Sequence, residues 1–297
     1  MSASPVCIWR NRLKGNTVGR HELPPETGAF FINLDRVPGR RAFMETQFDH
    51  AGLVGATCFS ATDAQVPGVL DVNGYVPGSG SRWGLTQSEI ACFESHRAVW
   101  QTAVDQNLNA VAVFEDDVEM SVQAGSIIAA FLEVPDAFDM VKLDYSPKSL
   151  RFGPETHIAG VRVRPMLEMA PSAAAYVLSQ RACQKLLNWS EKYSDHLDDF
   201  VSIPRPDWRM YQCFPAVGVQ MIWSKQQDHT VEEVKVSERS QDQKTNSGLD
   251  KGPLWVRLRR ELIAARRKLY WRMGGQTRLL EQGGYVGFIP CSDDLSV

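Results

Sequence analysis

The chain has 297 residues and a net charge of −3, with 43% hydrophobic and 23% charged residues, a balance that is ordinary for a globular protein and argues against a dedicated nucleic-acid binder. The first twenty residues lack the apolar segment of a secretory signal, and no run of about 18 apolar residues occurs, so we expect a cytoplasmic protein without a membrane span. The six cysteines are scattered without a Cys-x-x-Cys pair, which favours reduced thiols over a zinc knuckle or a disulfide framework.

An irregular, polar lead-in is predicted for residues 1–27, because this stretch contains a Pro-Pro breaker. The first convincing strand is 29–34, and a helical pattern follows it. The turn between them carries three arginines, Arg36, Arg40 and Arg41. Guanidinium groups and the N–H groups at a helix start both suit phosphate, so this turn is a candidate anion site. Simple solvation of the arginines is the alternative.

A second short strand, 58–63, is predicted to run into a polar loop. Ala61 is small enough to allow the close approach of a flat ligand. Asp63 either accepts a hydrogen bond from a base or ribose group or caps the loop. The following stretch, 68–83, holds four glycines and is typical of a mobile loop that closes over a ligand.

A helix is predicted to begin at Thr86, because Thr86-Gln-Ser-Glu89 is a capping box and apolar residues recur at helical spacing beyond it. His96 lies on this helix, where it is either a structural residue or part of a site. The helix is expected to end near Asn107. The order strand, helix, strand, helix, strand predicts a parallel α/β sheet.

The most informative stretch is 110–118, in which an apolar strand ends in three adjacent carboxylates, Glu115, Asp116 and Asp117. In an extended chain, Glu115 and Asp117 point to one side and Asp116 to the other. Carboxylates about 4 Å apart repel by roughly 4 kcal/mol at an effective dielectric of about 20, so the cluster needs a cation or full solvation. Mn²⁺ or Mg²⁺ fits, since both prefer oxygen ligands and ligands collect beyond the carboxyl ends of strands. A solvated acidic turn is the alternative.

Beyond this triplet the pattern continues to alternate between helix and strand. It predicts a helix at 124–132, a strand at 138–143, antiparallel strands bordering a cleft at 146–172, a strand at 172–178, a helix at 180–189 and a last core strand region at 211–222.

A second acidic cluster, Asp195-His-Leu-Asp-Asp199, lies between the last predicted helix and strand. Two separated carboxylate clusters are what metal-assisted group transfer with a general base requires. A helix cap, with Asp198 or Asp199 accepting from N-terminal amides, is an equal alternative.

Residues 237–252 are charged and polar and are predicted to be a flexible linker, followed by a C-terminal extension at 253–297. Within the extension, 254–273 is predicted to be a basic amphipathic helix with seven Lys or Arg residues against one acid. Such a helix fits peripheral attachment to an anionic membrane surface. Docking onto the rest of the chain or onto a partner is the alternative.

In this order, the blocks of the sequence resemble glycosyltransferase family 25, the bacterial lipooligosaccharide glycosyltransferases related to the sugar-transferring domain of procollagen galactosyltransferases. The resemblance covers roughly residues 28–222. Gln87-Ser88 stands where the family usually has a glycine before Glu89. The matching blocks are Phe31-Ile-Asn-Leu-Asp-Arg36 with Arg40-Arg41, Ala61 with Asp63, Leu85 to His96, Phe114-Glu-Asp-Asp-Val118, Phe138 to Leu143 and, more loosely, Ala173 to Leu178 and Asp198 with Pro215.

The resemblance implies a GT-A-type nucleotide-sugar transferase domain at 28–236, with a mostly parallel central sheet flanked by helices. It implies that Glu115 and Asp117 hold Mn²⁺ or Mg²⁺ against the diphosphate of a nucleotide-sugar donor, with UDP-galactose the first donor to test, and that transfer inverts the anomeric carbon. The acceptor is expected to be a glycan, and a lipid-linked glycan fits the basic helix. The general base is expected among Asp198, Asp199 and Glu168. The residues implied to form or support the donor site are Asn33, Arg40, Ala61, Asp63, Glu89, His96 and Asp116.

Two other classes of function also fit the sequence. A metal-dependent nucleotidyltransferase or phosphohydrolase uses an acidic strand end in the same way, and would release pyrophosphate or free sugar. A non-catalytic protein that binds nucleotide sugars or glycans is compatible with the departure at Gln87-Ser88. Binding of a nucleotide sugar without turnover would identify this class.

Overall fold

The computed structural model describes residues 19–225, 250 and 252–297. The predicted helix at 124–132 and the capping box at Thr86 and Glu89 are both confirmed. The α-helices are α1 (Pro38–Ala51), α2 (Gln87–Asp105), α3 (Ala124–Leu132), α4 (Gln180–Trp189), α5 (Leu197–Ser202), α6 (Leu254–Tyr270) and α7 (Gln276–Glu281). The strands are β1 (His21–Glu22), β2 (Thr27–Asn33), β3 (Leu53–Val54), β4 (Thr57–Ser60), β5 (Ala110–Glu115), β6 (Val118–Met120), β7 (Met140–Lys142), β8 (Leu150–Phe152), β9 (Thr156–Ile158), β10 (Val161–Pro165), β11 (Ala175–Ser179), β12 (Met210–Cys213), β13 (Gly218–Gln220) and β14 (Tyr285–Gly287).

Eight strands form one central sheet in the order β4-β2-β5-β11-β7-β12-β10-β9. Three neighbouring pairs are parallel, namely β2 with β4, β2 with β5, and β7 with β12; the other four pairs are antiparallel. The sheet is therefore mixed, and the expectation of a mostly parallel sheet is wrong. β11 is buried along its whole length and runs antiparallel between β5 and β7. A continuous apolar run of this kind is the same in either direction, so the sequence pattern could not reveal the reversal.

Helices cover both faces of the sheet, and side-chain alternation along β5 divides its residues between two cores. Val111 and Val113 belong to the core that contains residues of α2, α4 and α5. Ala110, Ala112 and Phe114 belong to the core that contains residues of α1 and α3. Because β5 is buried on both faces, the packing of the strand fixes the position of the acidic residues at its carboxyl end.

The ends of the predicted transferase domain differ from the sequence-based boundaries. His21 and Glu22 form β1, which pairs in parallel with β3, so the lead-in is not irregular throughout. Residues 1–18 lie outside the described part of the chain, as does the predicted linker apart from Asp250 and Gly252.

The C-terminal residues pack against the rest of the fold, and their strand joins a separate two-stranded sheet. β14 pairs antiparallel with β8, and Ile289 and Leu295 are buried. Asp294 accepts hydrogen bonds from the Ser121 hydroxyl at 2.8 Å and from the Val122 amide at 2.7 Å. The segment after α6 is thus part of the main fold and not a separate extension. No helix in the described ranges is both long and apolar enough to cross a membrane.

The parallel pairing of β2 with β5 decides where a ligand can bind. Ile32 is in register with Glu115, so Asn33 and the acidic triplet leave the sheet at the same edge. β4 is parallel to β2 on its other side and ends at this edge with Ser60. Ligands bind at the carboxyl ends of strands in such sheets, because loops diverge there and leave a crevice.

Candidate active site

A cavity of about 330 Å³ lies at the carboxyl ends of β2, β4 and β5. We call it the first cavity. Its volume is at the lower end of the range of roughly 300–1,000 Å³ that is usual for small-ligand pockets. Eight of the residues predicted from sequence line it, namely Arg40, Ala61, Asp63, His96, Glu115, Asp116, Asp117 and Asp198.

Asp116 faces Arg40 and Asn33. Its carboxylate accepts hydrogen bonds from Arg40 Nη1 at 2.5 Å and from Asn33 Nδ2 at 2.8 Å. Arg40 Nη2 also lies 3.8 Å from Asp117 Oδ2. Burial alone would lower the pKa of Arg40, but the charges of Asp116 and Asp117 outweigh this effect and raise it. Arg40 therefore supplies part of the positive charge that the triplet needs.

Glu115 and Asp117 face a different partner, Gln220. The Gln220 amide nitrogen lies 2.7 Å from Glu115 Oε2 and 3.3 Å from Asp117 Oδ1. Asp116 and Asp117 lie in the turn after β5, so strand alternation does not set the directions of their side chains. Two carboxylates that reach one point on the wall of a cavity are an oxygen-donor set that fits Mn²⁺ or Mg²⁺.

A second possible ligand set shares Glu115. The Cys92 thiol, a His96 ring nitrogen and a Glu115 oxygen all lie within 4.8 Å of one another. Thiolate and imidazole ligands favour softer ions such as Zn²⁺. Cys92 was not predicted as a site residue, although its position four residues before His96 on α2 places the two side chains on one helix face.

His96 is held in a fixed orientation inside the fold. It is only 1% exposed, its Nδ1 lies 2.7 Å from the Tyr176 hydroxyl, and its Nε2 lies 3.9 Å from Glu115 Oε1. Trp100 Nε1 donates to the same hydroxyl at 3.1 Å. Burial raises the pKa of Tyr176 well above its ordinary value, so the phenol stays neutral. The two hydrogen bonds and the burial fix the imidazole with Nδ1 toward Tyr176 and Nε2 toward Glu115.

Small side chains on α2 form one wall of the first cavity. Ser88, Ala91, Cys92 and Ser95 fall within an arc of about 100° round the helix and therefore share one face. Their size allows a ligand to approach the helix closely. Trp223, which sequence reasoning missed, also lines the cavity and is 40% exposed, so its ring is available for stacking against a planar or sugar ring.

Two predicted donor-site residues support the first cavity without lining it. Glu89 closes the capping box of α2 and lies 2.9 Å from His196 Nε2. Asn33 is buried behind Asp116. Asp63 does line the cavity, but it also pairs with Arg36 at 2.6 Å, and this hydrogen bond lowers the pKa of Asp63.

The three predicted base candidates are divided between the first cavity and a neighbouring one. The second cavity, of about 230 Å³, includes Asp199 and Glu168, which lie 3.1 Å from Arg82 and 3.3 Å from Arg151 respectively. Asp198 lines both cavities. It is thus the candidate placed where a donor in the first cavity and an acceptor in the second would meet.

Ser172 links Asp198 to the acidic triplet. Its amide donates to Asp198 Oδ2 at 3.2 Å, and its hydroxyl lies 3.1 Å from the side-chain oxygen Oε1 of Gln220 and 2.5 Å from Asp144 Oδ2. Asp144 is fully buried in a 2.6 Å ion pair with Lys142. The φ angle of Ser172 is +73°, a strained value for a residue other than glycine. This network ties both acidic clusters to the core of the protein.

Comparison with protein-family models identifies a family for most of the central part of the chain. The family described as glycosyltransferase family 25 (LPS biosynthesis protein) matches residues 26–201. This range begins just before β2 and contains all twelve residues predicted from sequence as site residues. Gln220 and Trp223 lie beyond it.

Comparison with curated proteins gives relatives with the same type of description. The lacto-N-neotetraose biosynthesis glycosyltransferase LgtE of Neisseria meningitidis serogroup B is 28% identical over 194 residues, covering 62% of this chain and 66% of that protein. LgtB of serogroup A is 32% identical over 199 residues, covering 61% and 65%. A glycosyltransferase 25 family member of Drosophila melanogaster is 37% identical over 97 residues, covering 30% and 16%. The match spans less than two thirds of the length of each of these relatives.

Proposed function

This chain belongs to glycosyltransferase family 25, and we propose that it is a metal-dependent, inverting GT-A-type glycosyltransferase that moves a hexose from a nucleotide sugar to a hydroxyl of a glycan acceptor. Galactose from UDP-galactose is the first donor to test, and lipooligosaccharide, LPS or another surface glycan is the proposed product class. The observation that carries the proposal is the convergence of Glu115 and Asp117 on one point of the first cavity, with Asp198 on the same cavity wall.

In this proposal Glu115 and Asp117 hold Mn²⁺ or Mg²⁺, which when bound neutralises negative charge on the departing nucleoside diphosphate. Asp116 keeps Arg40 beside the triplet, where its guanidinium adds positive charge near the diphosphate. The Gln220 side-chain amide donates hydrogen bonds to both of these carboxylates.

The remaining donor-site residues bind or position the nucleotide sugar. Ala61 and the small residues of α2 leave room for the donor, and Asp63 faces its base or ribose. His96 is oriented toward Glu115 and supports the sugar-phosphate side. Glu89 and Asn33 act as positioning residues, through the start of α2 and through Asp116.

Asp198 is the proposed general base. It removes the proton from the acceptor hydroxyl as that oxygen bonds to the anomeric carbon, while the bond from this carbon to the diphosphate oxygen breaks. Attack from the side opposite the leaving group gives inversion. Asp199 and Glu168 are less suitable, because each lines only the second cavity and pairs with an arginine.

A peripheral contact with an anionic membrane surface is part of the proposal. α6 has no buried residue, and its Leu254, Leu258, Leu262 and Leu269 side chains are each more than half exposed. Apolar side chains on a helix that is rich in arginine and lysine suit the boundary between headgroups and acyl chains. A lipid-linked glycan acceptor at that surface would be consistent with this contact.

The test is a calorimetric titration of UDP-, GDP- and CMP-sugars, with Mn²⁺ and with a chelator, on the wild type and Asp117→Ala. We expect one sugar nucleotide to bind only with metal, and Asp117→Ala to weaken it about a hundredfold or more, because a carboxylate ligand of the metal is lost. The exposed Asp49→Ala is the charge-matched control. Cys92→Ser separates the two ligand sets, since loss of Mn²⁺-dependent binding in this variant would move the metal to Cys92, His96 and Glu115. Equal donor affinity with and without metal would reject the metal assignment.

A further inference from the structure

The second cavity adjoins the first, with Pro171 and Asp198 lining both. A group bound in the second cavity therefore lies beside the proposed base. Its volume of about 230 Å³ is smaller than the usual range for whole ligands, and it suits one sugar residue with a substituent.

Three cations, Arg82, Lys148 and Arg267, and three carboxylates, Glu168, Asp198 and Asp199, line the second cavity. Arg82 pairs with Asp199, and Glu168 pairs with Arg151. Within the described ranges, the Lys148 and Arg267 side chains also line this cavity, yet they have no ion pair or side-chain hydrogen bond. Arg151 is not itself in the lining, so its pairing with Glu168 leaves the exposed Lys148 and Arg267 against the single carboxylate of Asp198. A bound anion can offset this excess of one positive charge.

Arg267 comes from α6, so the C-terminal helix helps to build the second cavity. At 100° per residue, Leu258 lies half a turn round the helix from Arg267, and Leu254, Leu262 and Leu269 lie within about 40° of Leu258. The arginine is therefore on the face toward the cavity, and the leucines are on the opposite, exposed face.

We infer that the second cavity is the acceptor subsite and that it takes a phosphate group carried by the acceptor, bound by Lys148 and Arg267. This inference rests on the proposed transferase function. The guanidinium of Arg267 matches two phosphate oxygens, and the ammonium of Lys148 adds a point charge. A phosphate held there places the attached sugar next to Asp198, where a hydroxyl can lose its proton to the carboxylate.

The experiment is a calorimetric titration with glucose 6-phosphate, glucuronate and methyl glucoside, with and without saturating UDP and Mn²⁺ and without vesicles. The proteins are the wild type, the double variant Lys148→Gln/Arg267→Gln and the control double variant Lys192→Gln/Arg278→Gln. The control removes the same charge from two exposed residues that line neither cavity. Donor binding is measured on all three proteins, which verifies that each is folded.

We expect glucose 6-phosphate to bind the wild type more tightly than the other two sugars, with affinity unchanged by UDP. In the cavity double variant this affinity should fall about tenfold or more, and in the control it should stay within about twofold. Equal weakening in both double variants, no weakening in either, or displacement of the sugar phosphate by UDP would each overturn the inference. If glucuronate bound more tightly than glucose 6-phosphate, the proposal that the second cavity takes a phosphate group would be wrong. Failure of every nucleotide sugar to bind would instead reject the proposed transferase function. The titration with glucose 6-phosphate can be carried out and interpreted whatever the donor titration shows.

Discussion

Glu115, Asp116 and Asp117 are adjacent in the chain but have different neighbours in the fold. Asp116 accepts a 2.5 Å hydrogen bond from Arg40, whereas Asp117 lies 3.8 Å from this guanidinium and shares the uncharged Gln220 amide with Glu115. The repulsion within the triplet is thus only partly offset by the protein itself. This difference is the residue-scale reason to propose Glu115 and Asp117 as the metal ligands.

A matched pair of substitutions tests the base. Asp198→Asn removes the proposed proton acceptor while keeping the size of the side chain, so we expect kcat to fall about 10²- to 10⁴-fold with donor affinity unchanged. Asp199→Asn is the control, and we expect it to change kcat by less than about fivefold. Both are measured as turnover of donor into glycosylated acceptor. A larger loss of kcat in Asp199→Asn than in Asp198→Asn would transfer the role to Asp199.

At the scale of elements, Asp139 joins three segments that meet beside β7. This residue is 1% exposed and accepts hydrogen bonds from the Arg209 amide at 2.8 Å, Arg181 Nε at 3.0 Å and Lys185 Nζ at 3.2 Å. It thereby ties α4 and the chain entering β12 to the start of β7. Burial alone would raise the pKa of Asp139, but these donors outweigh it and lower the pKa.

Substituting Asp139→Asn should therefore destabilise the protein in a pH-dependent way. The folded-state pKa lies below the unfolded value of about 3.9, so the stabilisation is complete above that pH and is lost as the pH falls through the folded-state pKa. We expect the free energy of unfolding to drop by about 2 kcal/mol at pH 7, and the difference from wild type to shrink below about pH 4. Urea unfolding at pH 7, 5 and 3.5 measures this. A difference that stays constant over this range would exclude the ionised carboxylate as its source.

At the scale of the whole molecule, the C-terminal region has two different parts. α6 has no buried residue, while the residues after it pair with β8 and contribute the buried side chains of Ile289 and Leu295. Removing everything from residue 254 onward would therefore also remove part of the main fold. Any test of the helix has to keep the full chain.

The exposed leucines of α6 provide that test. We expect Leu258→Gln/Leu262→Gln/Leu269→Gln to bind anionic vesicles about a hundredfold more weakly, since each leucine contributes roughly 1 kcal/mol when it is partly buried in the interface. Val72→Gln, at a side chain that is 91% exposed elsewhere on the surface, is the control. Co-sedimentation with vesicles of increasing anionic lipid content measures the partition. Unchanged sedimentation of the triple variant would leave α6 without a role at membranes.

Local patterns in the sequence determined several secondary-structure elements and the position of the acidic triplet at the end of a strand. The apolar run of β5 with its terminal acids, the capping box of α2 and the bounds of α3 each depend on residues within a few positions of one another. Spacing and burial pattern encode such features directly. The order of the acidic and helical blocks also carried the family resemblance.

Tertiary structure alone decided how distant residues meet. Gln220 contacts Glu115 across 105 positions, and Asp116 contacts Arg40 across 76. The antiparallel direction of β11, the separation of Asp198 from Asp199 and the position of Arg267 at the second cavity have no local signal either. The physical reason is that hydrophobic periodicity reports which side of an element is buried, whereas strand direction and charge pairing depend on which elements pack together.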